Sequence, residues 1–299
     1  MRWFLISFLL IGSNVCAQEP PAWFAQSLLF MADEVADAAK EKKRVMLYFG
    51  QDGCPYCKQL MEVNFRQRAT VERMQKGFVA IALDIWGDRE VTWVDGKAMS
   101  EKQLAAHLKV QFTPTLLFLD EKGAIALRVN GYYLPQRLEA ALDHASGKIS
   151  FAEFQKASQS RPANEKLNEQ PFFTTPQGRK PRALLFETPH CADCDALHRE
   201  IFTRPEVLEQ LKKFDVARFA ASGKEARTLK VEQVPTLVLT DPRGREALRL
   251  EAYFRPFHVA GALEYVSSGA YRKEPSFQRF LQEKADGMRA GGTPVDLWK

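Results

Sequence analysis

The sequence predicts an α/β protein in which one folding unit is used twice in tandem. Three observations predict it. Thr113 to Leu142, TPTLLFLDEKGAIALRVNGYYLPQRLEAAL, returns as Val234 to Leu263, VPTLVLTDPRGREALRLEAYFRPFHVAGAL; Pro114, Asp120, Gly123, Pro135 and Leu142 recur at a constant offset of 121. Each copy is preceded by a C-x-x-C pair, Cys54/Cys57 and Cys191/Cys194, offset by 137, so the first copy holds 16 more residues between its cysteines and its proline. Within each copy, short apolar runs bounded by turn residues alternate with stretches of helical period.

The elements follow in order. Residues 1–17 carry Arg2, an apolar run from Trp3 to Ile11 and the short side chains of Val15-Cys16-Ala17, which reads as a secretory signal peptide. The run falls short of the roughly 20 residues that span a bilayer, and Ser13-Asn14-Val15 is a poor lipidation context for Cys16. No later segment is apolar enough to cross a membrane, so the processed chain is expected to be soluble. A prefix helix is expected over roughly 21–43, with Phe24, Leu28, Val35 and Ala39 on its core face. In the first unit RVMLYF is a strand, Cys54 opens a helix through KQLMEVNF, and FVAIALDI is a second strand between Gly77 and Gly87. Ser100 with Gln103 is a capping-box start for QLAAHLKV. LLFLD, the Glu121-Lys122-Gly123 turn and AIALRV form a hairpin, and RLEAALDHA closes the unit. RALLFE, the helix from Cys191, DVARFA, KEARTLKV, TLVLTD, REALRLEA and HVAGALEYV repeat the series, with one more helix start at Thr203-Arg204-Pro205-Glu206. The expected divisions are therefore a first domain at 18–147, a helix capped by Ser150 and Glu153 plus a Pro-rich linker at 148–180, a second domain at 181–269 and a helical extension at 270–299. Phe172 and Phe173, the linker's only large apolar residues, are expected to dock on a domain, with contact to a partner as the alternative.

Of 299 residues, 45% are hydrophobic and 26% charged, ordinary globular material. Loss of residues 1–17 lowers the formal charge from +5 to +4, with both signs interleaved, which excludes a nucleic-acid footprint. It also removes Cys16 and leaves four cysteines, all in C-x-x-C pairs.

A first cysteine at a helix N-terminus meets backbone amides without helical partners and the positive end of the dipole, which stabilise its thiolate and lower its pKa from about 8.5. Three residues on, the second cysteine lies on the same face, able to close a disulfide and release a mixed-disulfide partner. Cys54 and Cys191 are thus the expected attacking thiols, with Cys57 and Cys194 resolving. A strand feeding such a helix, with Thr113-Pro114 or Val234-Pro235 before a later strand, resembles the thioredoxin fold. That resemblance implies two tandem thioredoxin-like domains, each a central mixed sheet flanked by helices, with the prolines cis and facing the cysteines. It also implies that Thr113, Pro114, Val234 and Pro235 dock an extended substrate segment.

More narrowly, GCPYCK, the insertion around IWGDREVTWVDGKAMSE and VQFTPT make the first domain similar to exported SoxW-type thioredoxins. The second resembles them at fold level. The resemblance implies a periplasmic location, protein thiol or disulfide substrates, a membrane thiol-electron donor, no cofactor, and a link to sulfur oxidation or cytochrome maturation. One departure stands out: the buried acid six residues before the first cysteine of thioredoxins is Tyr48 here, and Leu185 in the second copy.

Rival chemistries fit less well. Covalent haem needs C-x-x-C-H, but Lys58 and Asp195 follow the pairs. A shared zinc site needs four convergent thiols, whereas each pair heads its own unit; a local cluster of His190, Cys191, Cys194 and His198 is the denser candidate. Structural disulfides at these places would close very small loops and add little. His107, His144 and His258 read as solvated helix residues. Asp193 beside Cys191 is expected to destabilise the reduced second pair, with a protonated His190 opposing it, whereas Pro55-Tyr56 is uncharged. The second site is then the more reducing and passes electrons to the first. A protein disulfide isomerase or oxidase, and a binding module with permanent disulfides, remain alternatives.

Overall fold

The structure is a computed structural model that describes residues 20–157, 180–189, 191–251, 254–293 and 295. The signal peptide, Phe172, Phe173, His190 and most of the linker lie outside the described residues. In chain order the first half runs α1 Met31–Lys40, β1 Arg44–Gly50, α2 Pro55–Gln59, α3 Arg68–Gly77, β2 Phe78–Asp84, β3 Glu90–Thr92, β4 Ala98–Ser100, α4 Glu101–His107, β5 Thr115–Leu119, β6 Ile125–Asn130, α5 Pro135–Ala145 and α6 Phe151–Ala157. The second runs β7 Arg182–Glu187, α7 Ala192–Ala196, α8 Pro205–Leu211, β8 Asp215–Ala220, α9 Lys224–Thr228, β9 Thr236–Thr240, β10 Glu246–Glu251, α10 Pro256–Ser267 and α11 Phe277–Ala290.

Each half has its own four-stranded mixed sheet, ordered β2-β1-β5-β6 and β10-β9-β7-β8. The first pair of strands in sequence is parallel in each, β1 with β2 and β7 with β8, and the remaining pairs are antiparallel. RVMLYF is apolar throughout because both of its faces are covered: Met46 and Tyr48 face one core with α5, and Val45, Leu47 and Phe49 face another with α1 and α4. In the second half one face is thick, with Leu185 and Leu239 against α8, α10 and α11. Its other face holds a small cluster of Phe186, Val238 and Ala226, since no helix equivalent to α1 precedes β7 in the described residues.

Four details depart from the sequence expectations. The prefix helix begins only at Met31, and residues 20–30 run as a strap along β2, where the Ala25 amide donates to the Ala80 carbonyl at 2.8 Å. Ser27 Oγ accepts from the Leu29 amide and donates to Glu34, and Leu29 adopts φ 65°, so the chain turns before the helix; Phe24 is buried but Leu28 points to solvent. The helix after Thr203 is capped at Arg204, with Thr203 Oγ1 donating back to the Arg199 carbonyl. Both C-x-x-C helices continue through one π-helical turn, Leu60–Asn64 and Leu197–Ile201. Helix α3 escaped the pattern because Thr70 and Met74 alone are buried, too narrow a stripe to give a clear period. The capping boxes at Ser100 and Ser150 form as read.

The insertion in the first half is the β3–β4 hairpin, anchored by a buried carboxylate. Glu101, 2% exposed, accepts from the Asp84 amide at 2.9 Å and from the Arg89 guanidinium at 2.6 Å. Glu101→Ala is expected to cost about 2 kcal/mol, as charge-assisted bonds to a buried group do. Urea unfolding measures it, and a loss below about 0.5 kcal/mol would show that the hairpin does not depend on this anchor.

The halves meet in an approximately two-fold, self-complementary interface. Asn130 and Glu251 are equivalent positions in the repeat, 121 residues apart, and hydrogen-bond to one another at 2.7 Å. Tyr133 donates to Gln233, and the equivalent positions in exchanged halves, Phe254 and Phe112, pack with ring centroids 4.7 Å apart. Tyr56 packs on His258 at 5.1 Å, and the equivalent positions Asp193 and Arg137 form an ion pair. Paired contacts of this kind are what an isologous dimer makes, here within one chain. Helix α11 has no such mate among the described residues. It crosses α10 at Gly261, where an added Cβ would lie 2.5 Å from the end of the Leu281 side chain and would oblige that side chain to shift.

Candidate functional site

The turn after β1 brings Cys54 to the head of α2. Gly53 takes φ 68°, a conformation costly for other residues, and Cys54 follows as the N-cap. Pro55 occupies the first helical position, where no amide bond is lost. The Cys54 sulfur accepts the Cys57 amide at 3.1 Å and the Thr113 hydroxyl at 3.3 Å, and lies 3.4 Å from the Thr113 carbonyl oxygen. Cys191 likewise caps α7, and its sulfur accepts the Cys194 amide at 3.1 Å. Each pair is a disulfide with Cα atoms 5.2 Å apart, Cys54–Cys57 and Cys191–Cys194, and all four cysteines are buried. Both Thr113-Pro114 and Val234-Pro235 are cis. The loops before them are pinned in the same way: Thr115 Oγ1 donates to the Phe112 carbonyl at 2.7 Å and Thr236 Oγ1 to the Gln233 carbonyl at 2.6 Å. Thr113 thus touches the first sulfur, whereas Val234 has no hydroxyl to offer the second.

Two depressions flank the first pair. A groove of 1210 Å³ runs under the 20–29 strap and is lined by Tyr48, Cys57, Lys58 and Asp84. Burial raises the pKa of the Tyr48 phenol, with Asp84 adding to it, and burial likewise raises that of the Asp84 carboxyl. On the cis-proline side, a cleft of 190 Å³ separates Cys54, Tyr56 and Thr113 from His258, Gln278 and Arg289 of the second half. The C-terminal extension, silent in sequence, is therefore a wall of the first site. Gln278 Nε2 donates to the Gln111 carbonyl at 2.9 Å, and the Phe277 amide donates to Gln111 Oε1 at 3.1 Å.

His258 is not a solvated helix residue. It is buried edge-on against Tyr56, and its Nδ1 has no hydrogen-bond partner among the described residues. Burial pushes its pKa down to about 4. The unfolded chain takes up that proton near pH 6.5 and the folded chain only near 4, so stability is full above 6.5 and falls as pH drops through this window. The loss should be on the order of 3 kcal/mol and should vanish in His258→Gln. Equal slopes for parent and variant in unfolding at pH 7, 6, 5 and 4 would exclude His258 as the cause.

His198 Nε2 sits 2.7 Å from Glu187, which also accepts from Arg218. Among the described residues no group of three or more His, Cys, Asp or Glu is placed to hold a metal, and no helix is long and apolar enough to cross a membrane. Sequence reasoning missed Arg137, His258 and Tyr133. The repeat register pairs Arg137 with His258 and Tyr133 with Phe254, a signal that becomes legible once the two-fold is known.

No curated protein sequence matches the chain. Among solved structures, it is similar to a thioredoxin-fold protein from Helicobacter pylori, at 21% identity and TM-score 0.33, over 48% of this chain and 83% of that one. A thioredoxin from Thermus thermophilus is similar at 22% identity and TM-score 0.32, over 42% of this chain and 90% of that one. A protein disulfide oxidoreductase from Aeropyrum pernix is similar at 14% identity and TM-score 0.28, over 83% of this chain and 96% of that one. A family profile described as a thioredoxin-like domain matches residues 31–146 and 172–267. The two matched segments contain one C-x-x-C pair and one cis-proline loop each and together take in most of the sequence: the chain belongs to the thioredoxin-like domain family.

Proposed function

We propose that the protein is an exported thiol:disulfide oxidoreductase that works as a reductant or electron carrier for protein substrates. The observation that carries this is the setting of the Cys54 sulfur, which accepts both the Cys57 amide at the helix head and the Thr113 hydroxyl. Both bonds favour a thiolate over a thiol. In the reduced protein Cys54 attacks one sulfur of a client disulfide; a Cys54–client disulfide forms, the client's S–S bond breaks, and its other sulfur leaves and takes a proton. Cys57 then gives up its proton and attacks Cys54, which releases the client dithiol and leaves Cys54–Cys57 oxidised, two electrons having passed to the client. Thr113 and Pro114 dock the client segment, and Val234 and Pro235 do the same for Cys191 and Cys194. Export rests on residues 1–17 and a periplasmic site on the likeness to SoxW-type thioredoxins, as do the membrane thiol-electron donor that restores the dithiol and the link to sulfur oxidation or cytochrome maturation. The domain limits follow the sequence reading, 18–147, 148–180, 181–269 and 270–299.

The burial of all four cysteines favours a second reading, a binding module with permanent disulfides. One experiment separates the two. Cys57→Ala should hold clients on Cys54 as adducts that dithiothreitol releases, seen on non-reducing gels, and Cys54→Ala should hold none. Absence of adducts from both Cys57→Ala and Cys194→Ala would favour the binding module.

A further inference from the structure

The interface sets a charge from one half beside the cysteines of the other. Arg137 stands in the first turn of α5, its guanidinium 4.1 Å from the centre of the Tyr133 ring and its side chain 10% exposed. Tyr133 in turn donates to Gln233, next to Val234-Pro235, so both halves hold the arginine in place. Its ionic partner is Asp193, which lies between Cys191 and Cys194 in the first turn of α7. The first site has the same contact without charge: Tyr56 occupies the position of Asp193, and a neutral His258 that of Arg137. The carboxylate in the second pair is thus matched by a cation, and the first pair, which has no charge between its cysteines, has a neutral ring at the equivalent contact.

We propose that Arg137 is a positioning residue of the second cysteine pair: seated on Asp193, it offsets the carboxylate's field at the Cys191 sulfur and makes the redox poise of that pair depend on closure of the two halves. An unpaired carboxylate beside Cys191 disfavours the thiolate and with it the reduced pair. Pairing with Arg137 removes much of that bias, so the charge difference read from Ala192-Asp193 against Pro55-Tyr56 is smaller in the closed protein than in the sequence. Asp193 is 31% exposed, so solvent screens the pair and the effect is a few-fold one. This rests on the thiol-exchange reading above.

The test uses the full chain with Cys54→Ser/Cys57→Ser, leaving only the second pair to exchange. In glutathione buffer the Cys191–Cys194 disulfide and two glutathione thiols give the protein dithiol and one glutathione disulfide, with two electrons and two protons passing to the protein. Arg137→Met is expected to move the equilibrium constant toward the protein disulfide by about threefold to tenfold, or about 15 to 30 mV. Arg137→Lys should keep most of the parent value, and Asp193→Asn combined with Arg137→Met should return to it. Asp193→Asn alone, which keeps Arg137 in place, should move the constant toward the dithiol and serves if Arg137→Met does not fold. An unchanged constant in Arg137→Met or in Asp193→Asn overturns the proposal, as does an Arg137→Lys shift equal to that of Arg137→Met. A second pair that exchanges with glutathione in no variant overturns the thiol-exchange reading of that site together with the proposal.

Discussion

Phe112→Ala is expected to open the closed pairing of the halves and expose both cysteine pairs. Phe112 comes from the first half, in the loop before Thr113-Pro114, yet its ring is buried in the core of the second, 4.7 Å from Phe254 and 5.6 Å from Phe277. Truncating a buried phenylalanine costs about 3 to 5 kcal/mol, and here much of that is lost from the docked state alone. At about 1.4 kcal/mol per tenfold, the open population should rise by roughly a hundredfold or more. Alkylation of the reduced cysteines by a bulky maleimide reads the change, since all four are buried when the halves are closed. Tyr133→Phe, at the two-fold mate of that contact, removes only the bond to Gln233 and should act more weakly, by about 1 kcal/mol. Equal alkylation rates for Phe112→Ala and parent would mean that the halves are held by other contacts.

Glu187→Ala should be the most damaging single change in the second half. The carboxylate, 2% exposed at the end of β7, bonds His198 in the helix that bears Cys191 and Cys194, and also Arg218 on β8. It ties the strand that leads into the second pair to the helix that carries it. Removing one member of a buried charged network costs about 3 to 5 kcal/mol, a large share of the 5 to 15 kcal/mol by which domains are typically stable. Glu187→Gln keeps an acceptor and should cost less. Peptide-level hydrogen exchange is the suitable readout: protection should fall in β7, β8 and α7 while β1 and β5 hold theirs. A uniform fall across both halves would refute the local role.

Most of the fold was legible because it is encoded locally. The strands RVMLYF and RALLFE are short apolar runs buried on both faces, the caps at Ser100 and Ser150 lie within three residues of their partners, and the repeated prolines and glycines mark turns. What failed had weak or misleading local signals. Helix α3 has a narrow buried stripe. The strap at 20–30 has helix-compatible composition, but its backbone bonds reach β2 at Ala80 and β3 at Thr92, and its Ser27 turn is set by Glu34, seven residues on. The family's acid position is Leu185 in the second copy, while a buried acid of that half, Glu187, lies two residues later on the same strand.

The sequence by itself determined the duplicated α/β unit and the place of each C-x-x-C at a helix start, because each depends on short-range geometry or on internal repetition. The tertiary structure alone decided how the copies face one another. That choice buries Phe112 in the other half's core, sets α11 beside Cys54 and brings Arg137 to Asp193 across 56 residues of sequence. Each of these residues is, on its own element, an ordinary surface position. Its role comes from a neighbour that no local period announces, and it appears only when the two domains close.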